Sequence, residues 1–353
     1  MRVLIRSGPR DAIEATCEVR AGLPDGAYLL VDDSGHAYPA QSSGGVLSFV
    51  VPLLRAGEVR ALRLVEGEPA AQLELSDTGS EVRVSRGGFH VASYRYRGAR
   101  VPHVYPLNAA GAASVTEDAP RDHPHHRSLW TAHGDVNGVD FWAGGGEIRH
   151  LRFKRLVAGP VYAEIVAENS WESGGSRLIL EERRVRIWSV PSGEWLVDYE
   201  VALEPEGEVV LGDTKEAGIL SLRVASSMTV LSGGRLTNSW GGVNEGEVWG
   251  RRAEWCDYSG PLAGSVWGVA AFDHPSNPRH PTYWHARDYG LMAANVFGLS
   301  HFVGRREGDM RLTAPVRFRY RLLIHRGWAH EAHVGLRYLN WVYPPRAELA
   351  EKV

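Results

Sequence analysis

Apolar and polar residues alternate at period two over long parts of this chain. The clearest runs are Trp195 to Leu203 and Val316 to Ile324, each with one apolar and one mixed or charged face. Such alternation marks antiparallel strands with one side buried and the other wet. Shorter apolar or alternating runs occupy 27–33, 46–51, 60–65, 81–85, 161–166 and 178–188, bounded by glycine and proline. The 40 glycines and 19 prolines supply the turns between them. Helical periodicity is confined to one candidate, 329–342, where Val334, Leu336, Leu339 and Val342 are suitably spaced. Many short strands with few helices predict a mainly β protein built as a large antiparallel β-sandwich.

A Gly/Pro/Ala-containing stretch from Glu66 to Gln72 predicts a boundary. A small N-terminal β module would occupy 1–68, the sandwich 69–345 and a C-terminal tail 346–353. A hydrophobic content of 44% is enough to offset chain entropy and excludes wholesale disorder. The net charge of −3 gives no basic excess, so no nucleic-acid partner and no polybasic membrane anchor is expected. The most apolar stretch, 45–54, is far short of the roughly 20 residues needed to span a bilayer. The first ten residues mix apolar and basic side chains without a signal-peptide core. Cys17 and Cys256 follow no metal or redox spacing, which excludes a disulfide framework and suits a reducing compartment. The expectation is a soluble cytoplasmic protein, with no membrane partner and its oligomeric state left open.

Candidate chemistry is concentrated rather than scattered. His123, His125, His126 and His133 fall within one short segment, although the whole chain has only 15 histidines. Their surroundings, Asp122 to Trp142, add Arg127, Asp135 and Asn137, together with glycines that allow close backbone approach. Imidazole moves protons near neutral pH and, when neutral, ligates metals. On a straight strand His125 and His133 would lie far apart, at roughly 3.3 Å per residue, so a shared site needs a bend in this segment. A second concentration, Asp273 to Gly290, is rich in proline and holds His274, Arg279, His280, His285 and Arg287. A third, Gly212 to Gly218, carries Lys215 beside Glu216 in a chain whose other lysines are Lys154 and Lys352. No phosphate-loop spacing and no Gly-x-Ser-x-Gly elbow is present. The 12 tryptophans suit either a sandwich core or stacking on sugar rings.

Taken together, Asp122-His-Pro-His-His-Arg-Ser-Leu-Trp130, His133-Gly-Asp-Val-Asn-Gly-Val-Asp-Phe-Trp142, Gly212-Asp-Thr-Lys-Glu216, His274 to Gly290 and Tyr320-Arg-Leu-Leu-Ile-His-Arg-Gly327 resemble an uncharacterised bacterial family known as methane oxygenase PmoA-like. The resemblance covers about residues 70 to 330. True membrane methane monooxygenase subunits cross the bilayer several times, and this chain has no stretch suited to that. The resemblance implies a fold similar to the galactose mutarotase-like supersandwich and a sugar-related setting, without an established activity to carry over.

Three functions compete. The first is a carbohydrate-active enzyme of epimerase, lyase or hydrolase type. In it His125, His126, His133, Glu216 and His285 are the candidate catalytic residues, with a histidine as general acid and Glu216 as general base. Asp122, His123, Arg127, Asp135, Asn137, Lys215, His274, Arg279, His280 and Arg287 would hold the sugar. The second adds a divalent metal on His125, His126 and His133, with His285 or Glu216, making a metal-dependent sugar lyase or isomerase. The third is a non-catalytic carbohydrate-binding sandwich. The first reading requires the two histidine-rich segments, some 150 positions apart, to meet beside Glu216.

Overall fold

The protein is described by a computed structural model covering residues 1–67, 69 and 71–350. It is mainly β, and the alternating runs identified in the sequence all fall in strands. Three large sheets dominate. The first is N-terminal, seven-stranded and antiparallel, and has its own core around Val3, Ile5, Leu30, Phe49, Leu54 and Leu62. Parts of the expected boundary (Glu68, Ala70) and of the expected tail (351–353) lie outside the described residues. The described part of that tail is corrected: Arg346–Ala350 is a strand pairing antiparallel with Arg2–Arg6 at the edge of the N-terminal sheet. Its alternating Ala347 and Leu349 pack against that sheet's core, which a free tail could not do.

Two eight-stranded sheets form the sandwich. One runs in the order Tyr283–Ala286, Leu291–Asn295, Ala217–Arg223, Leu129–His133, His103–Leu107, Phe89–Arg95, Glu81–Arg86, Leu73–Asp77. The other runs Glu147–Val157, Tyr162–Ser173, Ser176–Ser189, Trp195–Pro205, Val316–Arg326, Ser265–Asp273, Trp255–Leu262, Arg235–Asn238. Their facing sides bury Trp171, Val185, Val201, Leu222, Phe318 and Leu322. Each such large side chain contributes roughly 1.5–3 kcal/mol of transfer free energy. One ion pair sits fully inside this layer: Arg183 Nε and Nη2 donate to Glu181 at 2.6 and 3.0 Å, and Arg183 Nη1 donates to the Pro102 carbonyl at 2.6 Å.

The N-terminal module is docked on the sandwich through polar contacts as well as apolar ones. Gln41 Oε1 accepts from the Val161 and Tyr162 amides, both at 3.1 Å. Val50, Tyr162, Trp188, Leu323 and Tyr338 form a third apolar cluster at the junction. The helix expected over 329–342 begins later, spanning Val334–Val342. His333 precedes it in the left-handed region at φ 52°, and the Val334 amide turns back to the Ala329 carbonyl at 3.1 Å, so residues before it form a tight turn. Among the described residues no helix is long and apolar enough to cross a membrane.

Candidate functional site

Strand register sets the floor of the site. Across the first sandwich sheet His103 pairs with Trp130, Trp130 with Ser221, Ser221 with Ala293, and Ala293 with His285. Directly paired residues point to the same side of a sheet, so this row shares one face. The opposite face carries Thr131, whose hydroxyl meets Tyr199 of the second sheet at 2.9 Å. The Trp130–His285 row therefore lies on the outer face, away from the sandwich core.

The histidine-rich segment bends over this face, carrying His123 and His126 onto it while His133 stays on the inner side. Ser128, at φ 60°, redirects the chain into the strand Leu129–His133; its hydroxyl donates to the Val104 carbonyl at 2.6 Å and lies 2.7 Å from the Thr116 hydroxyl. Asp122 is held by Arg223 at the end of the strand Ala217–Arg223. The rings cluster with nearly parallel planes, and His123 lies against both Tyr289 and His126. Arg223 lies over Tyr289 at 5.0 Å, Tyr289 on His123 at 4.5 Å, His123 on His126 at 4.7 Å, and His126 on Trp130 at 5.4 Å. His125 meets the edge of His126 at 4.6 Å.

Glu216 is placed by the close approach of two chains. The Gly134 amide donates to the Glu216 carbonyl at 2.7 Å, and a Cβ on Gly134 would lie 2.8 Å from that oxygen. Only glycine fits there. Its carboxylate is hydrogen-bonded by Lys215 and lies in the electrostatic field of His285 and His125. Partial burial raises its proton affinity, but the Lys215 hydrogen bond, with the fields of His285, Lys215 and His125, outweighs burial and holds it below the usual glutamate value. Burial lowers His285 to about 4, with Glu216 opposing that shift. Burial also lowers His126 to about 2 and, aided by His123, lowers His125 while Glu216 opposes. At neutral pH these rings are uncharged beside an ionised carboxylate.

Buried polar atoms without partners collect here. They include His126 Nδ1, both His285 ring nitrogens, Nε and Nη1 of Arg223, Arg287 Nε, and the indole nitrogens of Trp130, Trp142 and Trp249. His285 makes no well-formed hydrogen bond, although the Lys215 backbone lies near enough to favour its protonated form. More than half of all such atoms among the described residues belong to this one patch. Buried polar groups are nearly always satisfied, so such a concentration points to a polar ligand or ordered solvent.

The other sequence candidates have different places. His133 is on the inner face, fully buried against Phe297 at 4.7 Å. Its Nδ1 accepts the Asp135 amide at 3.0 Å, and burial lowers it to about 3. Asp135 and Asn137 build the turn after it: Asp135 accepts from the Gly138 amide at 2.8 Å, and Asn137 accepts from Val210 at 2.7 Å. Arg127 faces Asp118 at 3.4 Å. Arg279 clamps the carbonyls of Val296, Gly308 and Asp309 at 2.6–2.8 Å. His280 is tied to buried Asp273 at 2.8 Å. His274 bonds Ser276 at 2.7 Å and abuts Trp341 at 4.9 Å. In this arrangement these seven side chains engage groups of the protein itself. His133 parts from the outer face because successive residues of Leu129–His133 alternate between the two faces of the sheet.

The expected metal set fails on the same geometry. His133 points into the core while His125 and His126 lie outside, and among the described residues no group of three or more His, Cys, Asp or Glu is arranged to hold a metal ion. Sequence reasoning passed over Arg223, Tyr289, Trp249 and Glu245. Glu245 pairs with Arg287 at 2.5 Å, and Arg287 lies 5.8 Å from the Trp249 ring. Tyr289 follows Arg287 closely in the second histidine-rich segment, so a signal for it existed; Arg223 had none.

The fold and patch together define an antiparallel β-sandwich with a histidine–glutamate cluster on its outer face. The chain belongs to the family of unknown function DUF6807, whose model matches residues 81–335. No curated protein matches it. An alpha-mannosidase from Enterococcus faecalis V583 is similar across 100% of this chain and 46% of its own, with 10% identity and a TM-score of 0.50. A glycosyl hydrolase family 38 protein from Enterococcus faecalis covers 99% of this chain and 47% of its own, with 10% identity and a TM-score of 0.46. This chain thus spans less than half the length of either. At such identity the mannosidase likeness is one of fold.

Proposed function

We propose that the protein is a carbohydrate-active enzyme that moves protons on a sugar or oxidised sugar, in the manner of an epimerase or lyase. The observation that carries this is the convergence of Glu216, His125 and His285 amid the unpartnered indole, imidazole and guanidinium nitrogens of the patch. Sugar hydroxyls both donate and accept, and can answer many such groups at once. The His123 ring, part of which stays exposed, is a flat surface of the kind that suits the C–H faces of a sugar. The PmoA-like resemblance and the mannosidase fold both support a carbohydrate setting.

Glu216, held ionised by Lys215, is the base that removes a proton from the carbon beside a carbonyl. His285 stands beside it as a neutral ring with both nitrogens free to meet the substrate. The general-acid role moves from histidine to Tyr289, because burial leaves the rings neutral and keeps the Tyr289 phenol protonated. Arg287 and Arg223 steady the negative charge that develops on oxygen. Returning the proton to the other face gives epimerisation; expelling a hydroxyl from the adjacent carbon gives elimination.

Proton NMR of sugars, sugar lactones and keto-sugars incubated with the enzyme in deuterated water tests this. Deuterium incorporation or new signals, lost in Glu216→Gln, are expected. Unchanged spectra across the panel, or turnover indifferent to Glu216→Gln, would overturn the reading.

A further inference from the structure

The second sandwich sheet carries a separate cleft of about 440 Å³ on its outer face, near one edge. That size falls within the roughly 300–1,000 Å³ of small-molecule sites. Its floor follows from register: Arg235 pairs with Ser259 and Thr237 with Asp257, so these side chains share the outer face with Trp255, while Leu236, Cys256 and Tyr258 fill the core. The turn before the helix Val334–Val342 forms the opposite wall with Trp328, His330 and His333. Trp255 lies beside Gly335 of that wall.

The polar groups on the floor are pre-arranged. Asp257 is 1% exposed; it accepts from Ser259 Oγ at 2.6 Å and meets His325 Nε2 at 2.7 Å. Gly268 makes room for this chain of contacts, since a Cβ there would lie 2.3 Å from the His325 ring and 2.5 Å from Ser259 Oγ. Each Asp257 oxygen keeps further acceptor capacity. Beside it the Thr237 hydroxyl is buried with no partner at all. An unpaired buried hydroxyl costs free energy, which a ligand hydroxyl would recover. Apolar surface predominates in the lining, with indole at two sides.

We infer that this cleft is a second carbohydrate site, a non-catalytic one that seats a single neutral hexopyranose ring against Trp255 and Trp328. Hydroxyls of the sugar donate to Asp257 and exchange hydrogen bonds with Thr237. His325, fully buried behind Asp257, orients the carboxylate and does not itself meet the ligand. The site lies on the sheet opposite the Glu216 cluster and stands independently of the activity proposed there.

Saturation-transfer NMR with methyl hexopyranosides of gluco, manno and galacto configuration tests the inference on the full chain. At least one glycoside should give transfer that Trp328→Ala weakens tenfold or more in affinity and that Glu216→Gln leaves intact. Thr237→Val, nearly isosteric, should weaken the same signal while preserving the thermal midpoint, which separates lost recognition from lost folding. Absence of transfer with all three glycosides, or transfer insensitive to both cleft variants, would overturn it. Signal abolished by Glu216→Gln and untouched by Trp328→Ala would assign binding to the other site instead.

Discussion

Nη2 of Arg223 donates to both carboxylate oxygens of Asp122, at 2.9 and 2.8 Å, across 101 positions of sequence. Arg223 is nearly buried while Asp122 is half exposed, so the pair fastens the start of the histidine-rich loop to a strand end. Partial burial raises Asp122, but the hydrogen bonds from Arg223 and His123 overcome it and pull the carboxyl down to about 2. Asp122→Ala should destabilise the fold by about 1–2 kcal/mol, within the range for stranding a partner of a charged hydrogen bond and tempered by solvent access. It should also release the His123–Tyr289 stack. Urea unfolding measures the first effect; an unchanged midpoint would show that the pair carries no stability.

Glu216→Gln keeps the shape of the side chain and removes the base. Loss of a general base lowers turnover by roughly 10²–10⁴-fold. Wild-type turnover should hold steady from neutral pH downward and fall only as Glu216 takes up a proton below the ordinary glutamate range and His285 does so near 4. The sign follows from both groups acting unprotonated. A pH–rate profile whose acid limb lies near 6.5 would exclude this assignment.

Gly134→Ala should misplace the base without touching it. The new Cβ would stand 2.8 Å from the Glu216 carbonyl oxygen and 3.1 Å from its Cβ. Overpacking of this kind costs about 1–3 kcal/mol. Turnover should fall well beyond what the remaining folded fraction explains, as seen by comparing the rate with near-ultraviolet circular dichroism on one sample.

His133 reports on acid stability rather than chemistry. Burial lowers it from 6.5 to about 3 in the folded protein, so between those values the unfolded chain binds the extra proton. Stability from this residue is therefore complete above pH 6.5 and declines as pH falls toward 3, by up to about 1.4 kcal/mol per unit. His133→Asn retains an acceptor for the Asp135 amide and should flatten that decline. Denaturant midpoints at pH 7 and pH 4.5 decide it: an equal acid loss in both proteins would contradict the buried, neutral ring.

Much of the architecture was written in local pattern. Trp195 to Leu203 and Val316 to Ile324 alternate because each strand has one buried face, and that constraint acts residue by residue. The pairing of Arg346–Ala350 with Arg2–Arg6 was not legible, since a short alternating segment carries no mark of its partner.

For the site, the sequence determined the ingredients: a cluster of imidazoles, a lysine beside a glutamate, and a stiff proline-rich segment holding His285. The tertiary structure alone decided which of them meet. His125 and Glu216 come together because the chain turns at Ser128 and passes close to Gly134, whereas His133, a few residues away, enters the core. Period-two geometry sends neighbouring side chains to opposite faces, and register, fixed by burial summed over whole strands, chooses the face. Proton affinities divide in the same way: Lys215, adjacent in sequence, does much to hold Glu216 low, whereas burial, a property of the assembled fold, leaves the imidazole neighbours neutral.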